Sequence, residues 1–86
     1  MKFAEQFGRN LAYCRRRGKL SQEDLAQRAA IHHTAVSQIE HGKRMPKLDT
    51  AVKLAGGLGV PLEELLDGLT WSPAGYEPGG FTELTG

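Results

Sequence analysis

Residues 20–46 limit the possible folds more than any other part of the 86-residue chain. Their pattern predicts two short helices, over residues 21–29 and 32–41, separated by a tight turn. The first helix starts at a serine that suits an N-cap, and Asp24 stands three residues later, close to a capping-box pattern. Gly42 ends the second helix as a residue in the left-handed αL conformation. This part of the chain is therefore expected to form two helices that cross at a tight turn.

The second of these helices has two different sides. At about 100° per residue, Val36 and Ile39 point inward, whereas the opposite side is formed by small or polar residues, namely Thr34, Gln38 and His41, flanked by Ser37. This outer side offers hydroxyl, amide and imidazole groups, which suit the floor of a DNA major groove. A short helix pair that crosses a tight turn is a helix-turn-helix, in which the second helix reads base edges.

Three motifs follow one another along the chain: L-S-Q-x-x-L-A from Leu20, I-E-x-G-K-R-x-P from Ile39 and G-V-x-L-x-x-L-L from Gly59. With these motifs, the chain resembles the phage repressor (Cro/cI, or Xre) helix-turn-helix family from about residue 11 to residue 66. The resemblance implies an all-α bundle of five short helices. It also implies sequence-specific binding of double-stranded DNA by a homodimeric transcriptional regulator.

The resemblance assigns contacts to individual residues. Base reading falls to the start and outer side of the second helix, at His33, Thr34, Ser37 and Gln38, with His32 near the edge. A glutamine presents a donor and an acceptor together, which is the pairing used with adenine. Phosphate contacts fall to Gln22, Lys43 and Arg44. His32 stands where the family often has a Ser or Thr N-cap, so the start of this helix departs from the family pattern.

The resemblance also implies an ion pair between Arg15 and Glu40. Glu40 lies on the inner side of the second helix, where an unpaired carboxylate would be costly. The pair would therefore fix the second helix to the first helix of the chain, which is a structural role.

Helices are expected on both sides of the helix pair. Phe3–Arg17 carries an apolar stripe at helical spacing, formed by Phe3, Phe7, Leu11 and Cys14. Cys14 is expected to be a small core residue rather than a nucleophile. Basic residues crowd the end of this helix, where cations complement the helix dipole, at Arg15, Arg16, Arg17 and Lys19.

Two more helices are expected after the pair, over Leu48–Leu58 and residues 62–67. The first should supply apolar faces through Leu48, Ala51, Val52, Leu54, Ala55 and Leu58. Gly56 and Gly57 each weaken a helix by up to ~1 kcal/mol relative to Ala, so this helix is expected to end early. The last helix is expected to complete the monomer core and to take part in a dimer contact.

The chain divides into a DNA-binding domain, residues 1–68, and a C-terminal extension, residues 69–86. The extension places Trp71, Tyr76 and Phe81 among Gly and Pro residues, which argue against helix. Two interpretations remain open: an irregular or short β arm that packs on the core or on a partner, and a floppy tail.

Charge is unevenly distributed along the chain. Residues 2–53 contain all eleven Lys and Arg against five acids, which gives +6, whereas residues 54–86 contain five acids and no Lys or Arg, which gives −5. A basic segment joined to an acidic one fits a nucleic-acid surface with a separate partner surface, and it equally fits an ordinary solvated charge distribution. The single cysteine allows no intrachain disulfide and the N-terminus has no long apolar run, so a cytoplasmic protein that contacts no membrane is expected.

Metal and catalytic chemistry are not expected. The spacing of His32, His33 and His41 matches no closed zinc site, and no cofactor motif or catalytic constellation is present. A milder hypothesis is that these histidines raise DNA affinity as the pH falls through about 6.5. Two alternatives to a DNA-binding regulator stay open: an antitoxin-type module whose C-terminal arm engages a protein partner, and a domain that keeps the fold without binding DNA.

Overall fold

The computed structural model describes residues 3–71, which contain helices and no strand. The helices are α1 (Phe3–Arg17), α2 (Gln22–Ala29), α3 (His33–Glu40), α4 (Leu48–Leu58) and α5 (Leu62–Leu65). The predicted all-α fold with five short helices is confirmed. Both helices of the central pair begin one residue later than expected, because Ser21 and His32 are their N-caps. The last helix ends at Leu65 rather than at Asp67.

A single apolar core holds the helices together. Every helix contributes to it, and the side chains that are completely buried are Phe7, Leu11, Leu25, Val36, Ile39, Leu54 and Leu65. Cys14 belongs to this core, as expected. Helix α2 packs between α3 and α4, while α1 packs against α3 and α5. Since these helices are short, their packing rather than their intrinsic propensity supplies most of their stability.

The start of α2 is fixed by a reciprocal capping box, which the sequence predicts. Ser21 Oγ accepts a hydrogen bond from the Asp24 amide at 2.9 Å, and the Asp24 carboxylate accepts one from the Ser21 amide at 3.1 Å. The chain then leaves α2 through Ala30, which has a left-handed φ of 58°. Helix α3 begins without a side-chain cap, because the side chain of His32 forms no hydrogen bond with the first turn.

Gly8 sets the distance between α1 and α3. A Cβ atom at this position would lie 2.4 Å from the carbonyl oxygen of Ile39 and 2.7 Å from that of Glu40. Both contacts are far closer than real Cβ atoms allow. The absence of a side chain at Gly8 therefore lets the backbone of α1 support the C-terminal end of α3.

The structure divides the apolar residues expected on α4 between two sides and corrects the expected end of the helix. Leu48 and Val52 do not join the core but are 74% and 53% exposed. Residues 51, 54, 55 and 58 already fill the inward stripe, so Leu48 and Val52 fall beside it at the helical spacing. The helix also does not end early, because it continues through Leu58 and ends at Gly59, which has a left-handed φ of 70°.

Gly57 explains why α4 tolerates two glycines in its last turn. A Cβ at Gly57 would lie 3.2 Å from the Ala29 amide nitrogen and 3.2 Å from Leu25 Cδ1. The residue is buried where α4 packs against α2, and this packing offsets the poor helix propensity of glycine.

Residues 66–71 follow α5 along the core. Leu69 is partly buried against the core, and the ring of Trp71 lies 6.4 Å from that of Phe3, centroid to centroid. The rest of the predicted C-terminal extension, including Tyr76 and Phe81, lies outside the described residues. Between residues 3 and 71, none of the helices combines the length and apolar character that crossing a bilayer requires.

Candidate nucleic-acid interface

Helix α3 presents a polar side away from the core. Its apolar residues Val36 and Ile39 are fully buried. The side chains on the other side are exposed at His33, Thr34 and Gln38, and partly buried at Ser37. The four residues expected to read bases therefore lie on one short helix, and none of them belongs to the core.

His41 directly follows α3 and is held against it. Its Nδ1 lies 2.7 Å from the carbonyl oxygen of Ser37. Because a carbonyl oxygen only accepts, Nδ1 carries a proton and donates it, which leaves Nε2 as the ring nitrogen available to another partner. His32, His33 and His41 are all exposed.

Glu40, at the C-terminal end of α3, accepts hydrogen bonds from side chains of α1 and α2. Arg15 Nε donates to Glu40 Oε2 at 2.6 Å, and Arg15 Nη2 donates to Oε1 at 3.0 Å. Gln22 Nε2 donates to the same Oε1 at 3.1 Å. The side chains of Arg15 and Glu40 are only 12% and 5% exposed. Two parallel hydrogen bonds between a guanidinium and a carboxylate fix orientation as well as distance, so this cluster holds α3 at a defined angle.

The pairing favours the charged form of Arg15. The hydrogen bonds to Glu40 raise the pKa of Arg15 above its ordinary value. Arg15 also donates from Nη1 to the carbonyl oxygen of Leu20 at 2.9 Å, which attaches the connection between α1 and α2 to the same cluster. Arg15 therefore ties the α1–α2 connection to the end of α3, and Gln22 ties the start of α2 to the same carboxylate.

Gln22 is expected to contact a phosphate, but its side chain also forms a hydrogen bond within the protein. One N–H of its amide is used by Glu40. An amide group has two N–H donors, so one remains for another acceptor. Its backbone amide belongs to the first turn of α2, where the amides have no partner within the helix.

The segment after α3 is basic and begins with a fixed geometry. Gly42 adopts a left-handed φ of 73°, and Lys43 donates its backbone amide to the carbonyl oxygen of Gln38 at 3.0 Å. A Cβ at Gly42 would lie 2.9 Å from Glu5 Cγ, so the turn also packs against α1. The side chains of Lys43 and Arg44 are exposed. Gln22 is tied to Glu40 at the C-terminal end of α3, and Lys43 and Arg44 follow that same end, so the residues expected to contact phosphates lie near one end of the helix.

One group of exposed residues on α1 was missed by the sequence reasoning. It is the α1 stripe, formed by Arg9, Tyr13 and Arg16 at steps of four and three. From the sequence, the basic cluster at the end of α1 fits the helix dipole, apart from the pair between Arg15 and Glu40 that the resemblance implies. In the structure, Arg15 pairs with Glu40 and Arg17 pairs with Glu64, which separates these two residues from Arg16. The helical spacing of Arg9 and Arg16 was the available signal.

Within residues 3–71, no three His, Cys, Asp or Glu side chains come close enough together to hold a metal ion.

Comparison with known proteins agrees with this geometry. A sequence profile described as helix-turn-helix matches residues 11–65. The chain is 41% identical over 51 residues to the control protein C.BamHI of Bacillus amyloliquefaciens, which covers 59% of this chain and 63% of that protein. It is 40% identical over 63 residues to the transcriptional repressor RghR of Bacillus subtilis, which covers 72% of this chain and 47% of that protein. The chain thus spans about half to two thirds of the length of these relatives.

A solved structure shares the fold. The crystal structure of the restriction-modification controller protein C.AhdI from Aeromonas hydrophila superposes with a TM-score of 0.70 at 34% sequence identity. The match covers 72% of this chain and 94% of that one. The similarity therefore spans nearly the whole of the controller protein.

Proposed function

Because this chain belongs to the helix-turn-helix family, a class of DNA-binding transcriptional regulators rather than of enzymes, we propose that it regulates transcription by reading a specific double-stranded DNA sequence with α3. The observation that carries the proposal is the polar side of α3, which is exposed while the helix is fixed from behind by Arg15 and Glu40. A rigid support matters because base readout requires donors and acceptors at fixed positions.

The roles on α3 follow from side-chain chemistry. Gln38 matches the donor and acceptor that adenine presents in the major groove. Thr34 offers a hydroxyl to a base or a methyl group to thymine, and His33 offers a donor to guanine or to a phosphate. Ser37, which is partly buried, contributes a hydroxyl at the edge of this surface.

The phosphate contacts position this helix on the duplex. Lys43 and Arg44 are exposed directly after α3, and Gln22 keeps one amide donor beside the first turn of α2. Contacts of this kind set register and orientation but carry no sequence information. They should also make the affinity fall steeply with salt, because each one releases condensed counterions.

A homodimer is part of the proposal. Exposed apolar side chains remain on α4 at Leu48 and Val52, one helical turn apart, and at Leu66 after α5. Burial of such exposed apolar side chains stabilises a small domain. A second copy of the chain, related by a two-fold axis, would bury them. Two α3 helices about 34 Å apart would then enter successive major grooves on one side of the DNA.

Selection of bound duplexes from a random DNA library, followed by sequencing, tests the proposal. We expect enrichment of a near-palindromic motif whose half-sites lie about one helical turn, roughly 10 base pairs, apart. Enrichment of a single half-site would keep DNA reading but remove the dimer. A library without any enriched motif at moderate salt would remove the proposed function.

A further inference from the structure

The α1 stripe carries two arginines that join no ion pair among the described residues, and the exposed carboxylate of Glu5 lies one helical turn before the first of them. Arg9 and Arg16 are exposed, and ion pairs within residues 3–71 engage Arg15 and Arg17 but neither of these two. The nearest carboxylate of α3 in this region, Glu40, already has its charge matched by Arg15. Two positive charges are therefore left on one side of α1.

Tyr13 lies between these arginines and is 64% exposed. The guanidinium carbon of Arg17 lies 5.5 Å from the centroid of its ring, so one face of the tyrosine is covered by a cation. A phenol hydroxyl among cations is a donor suited to an anionic oxygen. The stripe is thus basic and carries a hydroxyl donor, which fits an anion rather than an apolar partner.

The α1 stripe is continuous with the surface around α3. Together with Ala12, Arg17 and Glu40, its residues line a shallow hollow of about 560 Å³. Arg9 also lines the neighbouring hollow, which is shared with Glu5, Glu40, His41 and Gly42 at the end of α3. The α1 stripe therefore adjoins the end of α3 through Arg9, with the exposed carboxylate of Glu5 in the same hollow.

We propose that Arg9, Tyr13 and Arg16 bind the phosphodiester backbone of the duplex that α3 reads, as a line of contacts separate from Gln22, Lys43 and Arg44. This inference rests on the DNA binding proposed above. A backbone is the polyanion that lies beside a helix in the major groove, and Arg and Tyr side chains are regular phosphate ligands. The contacts would add affinity and fix orientation without adding sequence preference.

The salt dependence of binding tests the inference. The full chain and its Arg9→Gln/Arg16→Gln variant are titrated with the selected duplex between about 50 and 200 mM salt. Two lost phosphate contacts should lower the slope of log affinity against log salt by about 1.8 for each copy on the DNA. Over this range the wild type should therefore lose about 12-fold more affinity than the variant per bound copy, or about 150-fold more for the proposed dimer. Tyr13→Phe should weaken binding roughly twofold to tenfold at an unchanged slope.

A matched control variant distinguishes the loss of specific phosphate contacts from a general loss of positive charge. Arg28→Gln/Lys53→Gln removes the same charge from exposed positions on α2 and α4 and should keep the wild-type slope. Ethylation of single phosphates gives an independent readout, because interference at the phosphates touched by the α1 stripe should vanish in Arg9→Gln/Arg16→Gln and persist elsewhere. Thermal melting of each variant checks that it is folded.

Three results would overturn the inference while leaving the proposed function intact. They are an unchanged slope in the stripe variant, an equal loss of slope in the control, and an unchanged ethylation pattern. The first would instead fit a stripe that meets an acidic protein segment. A wild type that binds no duplex would remove the proposed function, and this inference with it.

Discussion

At the scale of single residues, the position of α3 depends on Glu40. Its carboxylate accepts from Arg15 and Gln22, and it is 5% exposed. Removing one member of a buried pair leaves the other charge unpaired, which typically costs about 3–5 kcal/mol. Glu40→Leu should therefore lower the free energy of unfolding by about 3 kcal/mol or more in urea denaturation.

A double-mutant cycle measures the coupling between Arg15 and Glu40. Arg15→Met/Glu40→Leu removes both charges and should recover much of that loss, since a buried ion pair is often replaceable by apolar residues. DNA affinity should stay reduced, because an apolar pair lacks the two hydrogen bonds that orient α3. Additive losses in the double variant would show that the pair is not coupled.

Asp24 makes stability depend on pH in a defined direction. The hydrogen bonds from the Ser21 amide and hydroxyl lower the pKa of Asp24 below its ordinary value of 3.8. Because the folded value is the lower one, the stabilisation is fully present above pH 3.8 and is lost as the pH falls through the folded pKa. Melting temperatures of the wild type and Asp24→Asn should differ at neutral pH and converge below that range. Parallel curves would contradict the assignment.

At the scale of helices, three glycines with different surroundings should respond differently to alanine. A Cβ at Gly56 meets nothing within 4 Å, so Gly56→Ala should stabilise α4 by about 0.5–1 kcal/mol. Gly57→Ala should bring no such gain, because its Cβ would press on α2. Gly8→Ala should cost about 1–3 kcal/mol by pushing α1 away from α3. Thermal unfolding measures all three, and the same sign at every site would refute the packing argument.

The helices could be predicted from local sequence signals, whereas the side chains that pack against one another could not. The Ser21–Asp24 pattern predicts the start of α2, and Gly42 predicts the turn after α3, because helix caps depend on residues that are neighbours in the chain. Exposure of Leu48 and Val52 depends on which side of α4 meets the core, which only the assembled bundle decides.

The candidate nucleic-acid interface was likewise predictable only in part. The polar side of α3 follows from helical periodicity, and the partner of Arg15 came from a family resemblance. Three consecutive arginines do not reveal their partners, since Glu40 lies 25 residues after Arg15 and Glu64 lies 47 residues after Arg17. The α1 stripe becomes visible only after these two pairs are known.

At the scale of the whole molecule, assembly should depend on the exposed apolar residues of α4. Leu48→Glu/Val52→Glu should leave the monomer folded, because both side chains are largely exposed, and should shift the mass measured by light scattering from two copies to one. Lys53→Glu, an exposed position on the same helix, should keep the wild-type mass. A double variant that stays dimeric would place the interface elsewhere.

The most direct measurement of base reading compares the wild type and Gln38→Ala on the selected operator and on all its single-base-pair substitutions. We predict that the wild type loses about 1–3 kcal/mol at a position containing adenine, and that Gln38→Ala loses discrimination at that position while keeping it at the others. Full discrimination by Gln38→Ala at every position would contradict the claim that this side of α3 reads the DNA.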